Sequence, residues 1–316
     1  MEHVNTIGSF LRLTRPLFLF GGANLYAIGV FIALADGYRI DILHLLAGQA
    51  MVTAIQLMTH YANEYYDQAS DRLNTERTWF SGGSGVLVDG EISPKAALNA
   101  SITCALAGFV VILYGFTWSL PFAVLGLVSM ALAWSYSGPP LRLVARGVGE
   151  LVASIVVAGL VPMVGYISLS GGVLSDDVLA TALPLMMIHF AMLIAFAVPD
   201  VHADAAVGKW TAVVRLGAAR TVIVHNLLLL AAFCVILLWI ARERPGVQWL
   251  WLAVPLAVWQ CVAIINALRE RYAHDRSSHY RRLTMGAVGL FAFTAFLWLA
   301  GYAAPLLAQV LAHSGG

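Results

Sequence analysis

Two aspartate pairs with identical spacing stand out in this 316-residue chain: Asp67 and Asp71 in NEYYDQASD (63–71), and Asp200 and Asp204 in PDVHADAAVGKWTAVVRLG (199–217). Residues four apart share a helical face, so the first stretch places Asn63, Asp67 and Asp71 on one side of a helix. Carboxylates so close repel one another, and each pair ends a long uncharged run in which charge is costly. Folding alone does not ask for them. Opposed carboxylates need cations, and hard oxygen ligands suit magnesium, which keeps several waters and shares substrate phosphates. Lys209, Arg215, Arg146, Arg142, Arg72 and Arg77 lie in the adjoining polar segments and suit a bridging diphosphate. An anion site beneath a greasy bundle implies an amphiphile such as a polyprenyl diphosphate. Metal and cationic side chains favour negative charge on a departing diphosphate. The allylic carbocation left behind needs electron-rich, poorly nucleophilic neighbours. Tyr61, Tyr65, Tyr66, Trp79, Phe80, Trp134 and Tyr136 flank the loops concerned. In this chemistry Asp67, Asp71, Asp200 and Asp204 are the catalytic metal ligands, and no residue is identified as a base.

The elements that must hold these groups are membrane helices. The chain is 60% hydrophobic and 11% charged, with a mean hydropathy of +0.81, far from the mixture of a soluble domain. Uncharged runs long enough to span a bilayer recur throughout, predicting nine spans near 16–35, 42–62, 96–117, 120–139, 151–170, 178–199, 221–241, 247–267 and 284–306. The third and fourth share one uncharged stretch, divided at Trp118, Ser119 and Pro121 because one helix of that length overshoots the membrane. The expected fold is therefore all-α and polytopic, a single domain over 1–316 embedded in the lipid bilayer.

Asp67 and Asp200 are 133 positions apart, and so are Asp71 and Asp204. Four spans fit that interval, which returns the chain to the same side in the same direction. The pattern predicts two four-helix halves and a ninth helix, with one acidic helix end from each half. The same offset carries the basic loop after the fourth span to Arg271, after the eighth. With the N-terminus inside, 15 of the 18 Lys and Arg residues fall on the cytoplasmic side, leaving Arg39, Arg242 and Arg244 outside. The N-terminus and a polar cap bearing all four aspartates are thus expected in the cytoplasm.

Other features have plainer readings. A single aspartate at a helix end is most often a cap or solvated residue; two pairs at one offset favour function. Most basic residues satisfy orientation alone, and Arg269 to Arg282 reads as topogenic. With a net charge of +1 and no basic block, no nucleic-acid partner is expected. Cys104, Cys234 and Cys261 fall inside spans without metal-site spacing. Met1 to Pro16 mixes charged and polar residues, so the first apolar run is expected to remain as a span. GGSGVLVDG (82–90) reads equally as a flexible turn or a phosphate cradle, lacking the Lys and Ser/Thr of a phosphate-binding loop. His189 and His225 read as buried, hydrogen-bonded residues, and His202 lies half a turn off the face of the second pair.

Together these motifs resemble the UbiA superfamily of intramembrane prenyltransferases. The resemblance runs from RLTRPLF (12–18) through the NxxxDxxxD of Asn63, Asp67 and Asp71 to Asp200 and Asp204, with GKWTAVVRLG (208–217) beyond. YSGPPLRLVARGVGE (136–150) is similar to the branch that prenylates dihydroxynaphthoate in menaquinone biosynthesis, although Phe196, Ala197, Val198 and Pro199 depart from the Asn and Arg of that branch. The resemblance implies a nine-helix bundle around a lipid-open cavity in a bacterial plasma membrane, with Mg2+ at the aspartate motifs. It implies diphosphate contacts from Asn63, Arg72, Arg146 and Lys209. The implied reaction is prenyl transfer from a polyprenyl diphosphate to a small aromatic or quinone-precursor acceptor. Transfer to a lipid or tetrapyrrole alcohol and terpene cyclisation are the alternatives within the superfamily. An ion-coupled transporter is the alternative outside it.

Overall fold

The computed structural model describes residues 6–269 and 276–314; the predicted topogenic Arg271 lies outside them. The helices, in order, are α1 (Thr6–Thr14), α2 (Pro16–Ala35), α3 (Ile42–Tyr66), α4 (Gln68–Leu73), α5 (Pro94–Gly115), α6 (Leu120–Ser137), α7 (Gly149–Ser154), α8 (Val161–Ser170), α9 (Asp176–Ala197), α10 (Val201–Ala206), α11 (Ala212–Ala241), α12 (Val254–Ala267) and α13 (Arg276–Ser314). A π-helical turn, Ile155–Leu160, joins α7 and α8 into one span. Among the described residues nine helices are long and apolar enough to cross a membrane. Phe20, Leu46, Leu106, Val110, Leu230, Val258 and Phe296 are exposed along them, an apolar exterior that requires lipid.

Local chemistry sets the boundaries. The division of the long third stretch falls at Ser119, whose hydroxyl accepts from Phe122 N–H at 3.1 Å, with Pro121 in the first turn of α6. The seventh span starts earlier than expected because α11 begins at Ala212 and continues through a non-helical Gly217 (φ 69°, ψ 169°). The ninth helix extends well beyond the predicted 284–306, taking its basic first turns, Arg276 to Arg282, into the same rod.

The internal repeat is visible in the packing. α4 and α10 are six residues each, 133 positions apart, and pack against each other. Around them α3 packs with α5 and α6, as α9 packs with α11, which in turn meets α12. The first span of each half meets the other where α2 crosses α8. α13 closes the bundle against α2, α9 and α12.

The α2–α8 crossing depends on glycine. A Cβ at Gly29 would stand 1.8 Å from the Pro162 carbonyl oxygen, and one at Gly165 would stand 2.1 Å from that of Tyr26. Both clashes are with backbone, so the helices must separate to admit a methyl group. Gly29→Ala is expected to cost about 1–3 kcal/mol or more, as overpacking does. Thermal unfolding in detergent checks this against Gly21→Ala on the same helix, where nothing lies within 4 Å and no loss is expected.

Candidate active site

Each aspartate pair straddles a break between helices. α3 ends at Asp67 (φ −96°, ψ 2°), which also precedes α4, and Asp200 stands likewise before α10. The expected continuous face through Asn63, Asp67 and Asp71 is therefore bent at its middle residue. Backbone bonds run up to and on from each bend: Asp67 N–H to Asn63 O at 2.9 Å and Asp71 N–H to Asp67 O at 3.0 Å at the first, and Val201 N–H to Val198 O at 3.4 Å and Asp204 N–H to Asp200 O at 2.8 Å at the second. Each pair is thus offered on a short helix turned out of its span, and α4 and α10 bring the pairs together at one end of the bundle.

The pairs are joined by donors from the opposite half. Lys209 Nζ lies 2.7 Å from Asp67 Oδ2 and 3.3 Å from Asp204 Oδ1, bridging the two motifs. Asp67 Oδ2 also accepts from Asn63 Nδ2 at 2.8 Å, and that amide reaches Ser137 Oγ at 3.0 Å. Asp200 belongs to the second half, yet its donors come from the first: Asn74 Nδ2 at 2.5 Å and Gly82 N–H at 3.2 Å. Lys209 is itself held by its neighbours, since Trp210 N–H donates to Ala145 O at 3.2 Å and Ala212 N–H to Glu150 Oε1 at 2.9 Å.

The glycine-rich loop is neither a plain turn nor an open anion cradle. Its amides point at the protein's own carboxylates: Gly82 N–H at Asp200, and Ser84 N–H at Glu64 Oε1, 2.7 Å away. Ser84 Oγ donates to Glu64 Oε2 at 2.8 Å, and Arg15 closes an ion pair with the same buried carboxylate. Gly83 (φ 72°) lies so close that a Cβ would stand 2.3 Å from Asp71 Oδ2. Arg77, beneath this loop, donates to Asp71 O at 3.4 Å.

Of the residues the sequence pointed to, Asn63, Asp67, Asp71, Asp200, Asp204 and Lys209 converge. Arg72 and Arg146 are exposed, and no hydrogen bond or ion pair joins either to the acids among the described residues; Arg146 Nη2 instead donates to Pro140 O at 3.4 Å. Phe80 lies parallel to Phe196 (centroids 5.7 Å apart, 7° between planes), and Phe18 meets both edge-on. Tyr66 meets Tyr65 and Trp134 edge-on, whereas Trp79 is 86% exposed. His189 is buried and bonded to Ser154 Oγ at 3.0 Å, His225 pairs with Asn226, and His202 is exposed. Asn74 and Glu64 escaped the sequence reading as site residues, while Arg15 fell inside RLTRPLF and Ser84 inside the glycine-rich loop without their contacts being foreseen. Glu64, an acid at the end of an apolar run, carried a visible signal.

The electrostatics are those of crowded, buried carboxyls around one ammonium. Burial, reinforced by Asp67, pushes the Asp71 carboxyl up to about 8. Burial and Asp204 push Asp200 up to about 7. Asp204 is also raised by burial, with Lys209 opposing. Burial works against the Lys209 ammonium, but Asp67 and Asp204 outweigh it and hold the amine well above its usual value. Among the described residues no three acids converge as a ready chelate. The donor set still fits a hard divalent ion: it is all carboxylate oxygen, and Asp204 Oδ1 is buried already facing a cation, the Lys209 ammonium 3.3 Å away.

A model of the UbiA prenyltransferase family matches residues 24–286. The chain belongs to that family. Its sequence is 27% identical over 232 residues to a 1,4-dihydroxy-2-naphthoate octaprenyltransferase of Bacillus subtilis (strain 168), covering 72% of this chain and 71% of that one. A Mycobacterium tuberculosis protein of the same name is 31% identical over 197 residues, covering 59% of this chain and 63% of that one. The fold is shared with a UbiA homolog from Archaeoglobus fulgidus solved bound to DMAPP and Mg2+ (TM-score 0.62, 19% identity, 92% of this chain and 99% of that one). It is shared also with digeranylgeranylglyceryl phosphate synthase (TM-score 0.60, 15% identity, 94% and 98%). UbiA membership makes this chain a membrane-embedded prenyltransferase, of nine spans among the described residues.

The raised carboxyls give the metal-free protein a definite pH response. Asp71 and Asp200 titrate from 3.8 when unfolded and near 8 and 7 when folded, so between about pH 4 and pH 8 the folded state holds more protons. Its stability therefore falls as pH rises through that window. The melting temperature in a chelator is expected to drop from about pH 5 to about pH 8, with a shallower drop for Asp71→Asn.

Proposed function

We propose that this UbiA protein transfers a prenyl chain from a polyprenyl diphosphate to a hydroxylated aromatic quinone precursor, with Mg2+ at the aspartate pairs. The observation that carries this reading is the Lys209 bridge between Asp67 and Asp204, with Asp71 and Asp200 close enough to repel them, at one end of an apolar bundle. The names of the naphthoate-prenylating relatives support the acceptor class, and the Mg2+ and DMAPP of the Archaeoglobus homolog support the metal and donor.

Bound Mg2+ neutralises the charge that develops on the leaving diphosphate. Asp67, Asp71, Asp200 and Asp204 hold the metal side of the site, with Asn63 orienting Asp67. As substrate enters, Lys209 exchanges part of its contact with Asp67 and Asp204 for diphosphate oxygens, remaining positive because acids surround it. Gly82 N–H holds Asp200, Ser84 holds Glu64, and Gly83 packs against Asp71. Arg72 and Arg146, exposed as they stand, are proposed to meet the diphosphate from its solvent side. Phe18, Phe80 and Phe196 offer aromatic faces to the allylic cation, close to Asp200, which lies one turn beyond Phe196. The whole chain acts as one catalytic unit, with the N-terminus and acidic end on the cytoplasmic side of a bacterial plasma membrane, as the distribution of Lys and Arg supports.

The test uses purified protein, geranylgeranyl diphosphate and Mg2+, with and without 1,4-dihydroxy-2-naphthoate and other hydroxylated aromatics, followed by mass spectrometry. Acceptor-dependent product is expected, and chelation of Mg2+ should abolish it. Asp67→Ala should lower kcat/KM by at least about 10²–10³-fold, the scale of losing one strong electrostatic contact to the transition state. A hydrocarbon product formed without acceptor would replace transfer by cyclisation. An intact diphosphate under all conditions would remove both.

A further inference from the structure

Transfer to a hydroxylated ring needs a proton acceptor, and none of the aspartates is free for that role if they hold metal. One turn before Asn63 and Glu64, on the second span, His60 stands half-buried inside the bundle. Its Nδ1 lies 2.9 Å from the carbonyl oxygen of Thr14, the last residue of α1. A carbonyl only accepts, so Nδ1 carries the hydrogen and the neutral ring presents a bare lone pair at Nε2. No group among the described residues donates to that nitrogen. His60 also meets Phe18 edge-on with centroids 5.9 Å apart, which places it at the rim of the cluster formed by Phe18, Phe80 and Phe196. An imidazole locked in one tautomer, its basic nitrogen unpartnered beside aromatic faces, has the arrangement of a general base; the charge of neighbouring Arg15, which opposes an imidazolium, is answered by its ion pair with Glu64.

We infer that His60 is the base that activates the acceptor. The inference rests on the prenyl-transfer reading above. The acceptor ring packs against the Phe18–Phe80–Phe196 cluster with a ring hydroxyl toward His60, and Nε2 takes the hydroxyl proton. The C1–O bond breaks, and diphosphate leaves with its electron pair. The oxygen's electron pair is delivered into the ring, whose ortho or para carbon forms a bond to C1 of the allylic cation. The attacked carbon then gives up its own proton to the departing diphosphate and the ring regains aromaticity. The imidazolium returns its proton to the ring oxygen, so His60 is regenerated and one proton leaves with the diphosphate. The substrate class follows: an aromatic acceptor with a free hydroxyl ortho or para to the carbon that is prenylated.

The plainer role for His60 is to fasten the end of α1 through Thr14, and one substitution separates the two. Asn at position 60 keeps an N–H donor for the Thr14 carbonyl but has no basic nitrogen. With geranylgeranyl diphosphate, Mg2+ and 1,4-dihydroxy-2-naphthoate, His60→Asn is expected to lower kcat by about 10²-fold or more, the usual contribution of a positioned base. The KM for the diphosphate should stay within about twofold, because chemistry rather than donor binding is lost. A His60→Asn enzyme within about threefold of wild type overturns the inference and leaves transfer standing, as does a loss confined to KM or matched by a lower melting temperature. A wild-type enzyme that forms no acceptor-dependent product removes the transfer reading and this one together.

Discussion

Lys209 stands between Asp67 of the first half and Asp204 of the second, and the geometry of the acidic end follows from that bridge. An ammonium among buried acids is a demanding arrangement, because either charge left alone would carry the full cost of its desolvation. The protein answers with reciprocity. The second half supplies the cation for Asp67, and the first half supplies Asn74 and Gly82 N–H for Asp200. Each half completes the other's acids, so neither motif is finished until the halves have packed.

This exchange explains the bends at Asp67 and Asp200. A carboxylate carried on in the line of α3 or α9 would run along its own helix axis, away from the opposite half. Breaking the helix at the first aspartate and restarting as α4 or α10 turns the second toward the opposite half, while backbone bonds on either side of the break preserve the spacing. Four carboxyls crowded around one ammonium raise the cost of ionising all of them, which is why burial and their mutual repulsion push Asp71 and Asp200 upward. The loop over the acids adds to this: its amides meet Asp200 and Glu64, and its glycines admit backbone where a side chain would collide with Asp71.

Below the acids the bundle changes character within one helical turn. Phe196 precedes Asp200 by four residues, and Phe80 precedes Gly82 by two, so the segments that bind Asp200 also deliver the stacked aromatic pair. A charged end and an aromatic cluster are thereby coupled through the same backbone. His60 sits where α1 and α3 meet that cluster through Phe18 of α2, its tautomer fixed by the end of α1.

Much of this was legible in order along the chain. Hydropathy gives nine spans because a bilayer demands helices of a certain length and tolerates little charge within them. The 133-residue offset gives the two halves because four spans restore direction, and Ser119 with Pro121 marks a helix start that composition alone would miss. The acids and Lys209 announce themselves because charge at the end of an apolar run needs a reason. What the sequence leaves open is which donor serves which acid. Arg72 adjoins Asp71 in sequence but faces outward, whereas Asn74, Gly82 and Lys209 reach aspartates more than a hundred positions away. His60 looks like one more residue in a span until Thr14 fixes its hydrogen. Patterning along a chain reports burial and direction, which are local; hydrogen-bond partners across two packed halves are set by the packing itself, and only the tertiary structure decides them.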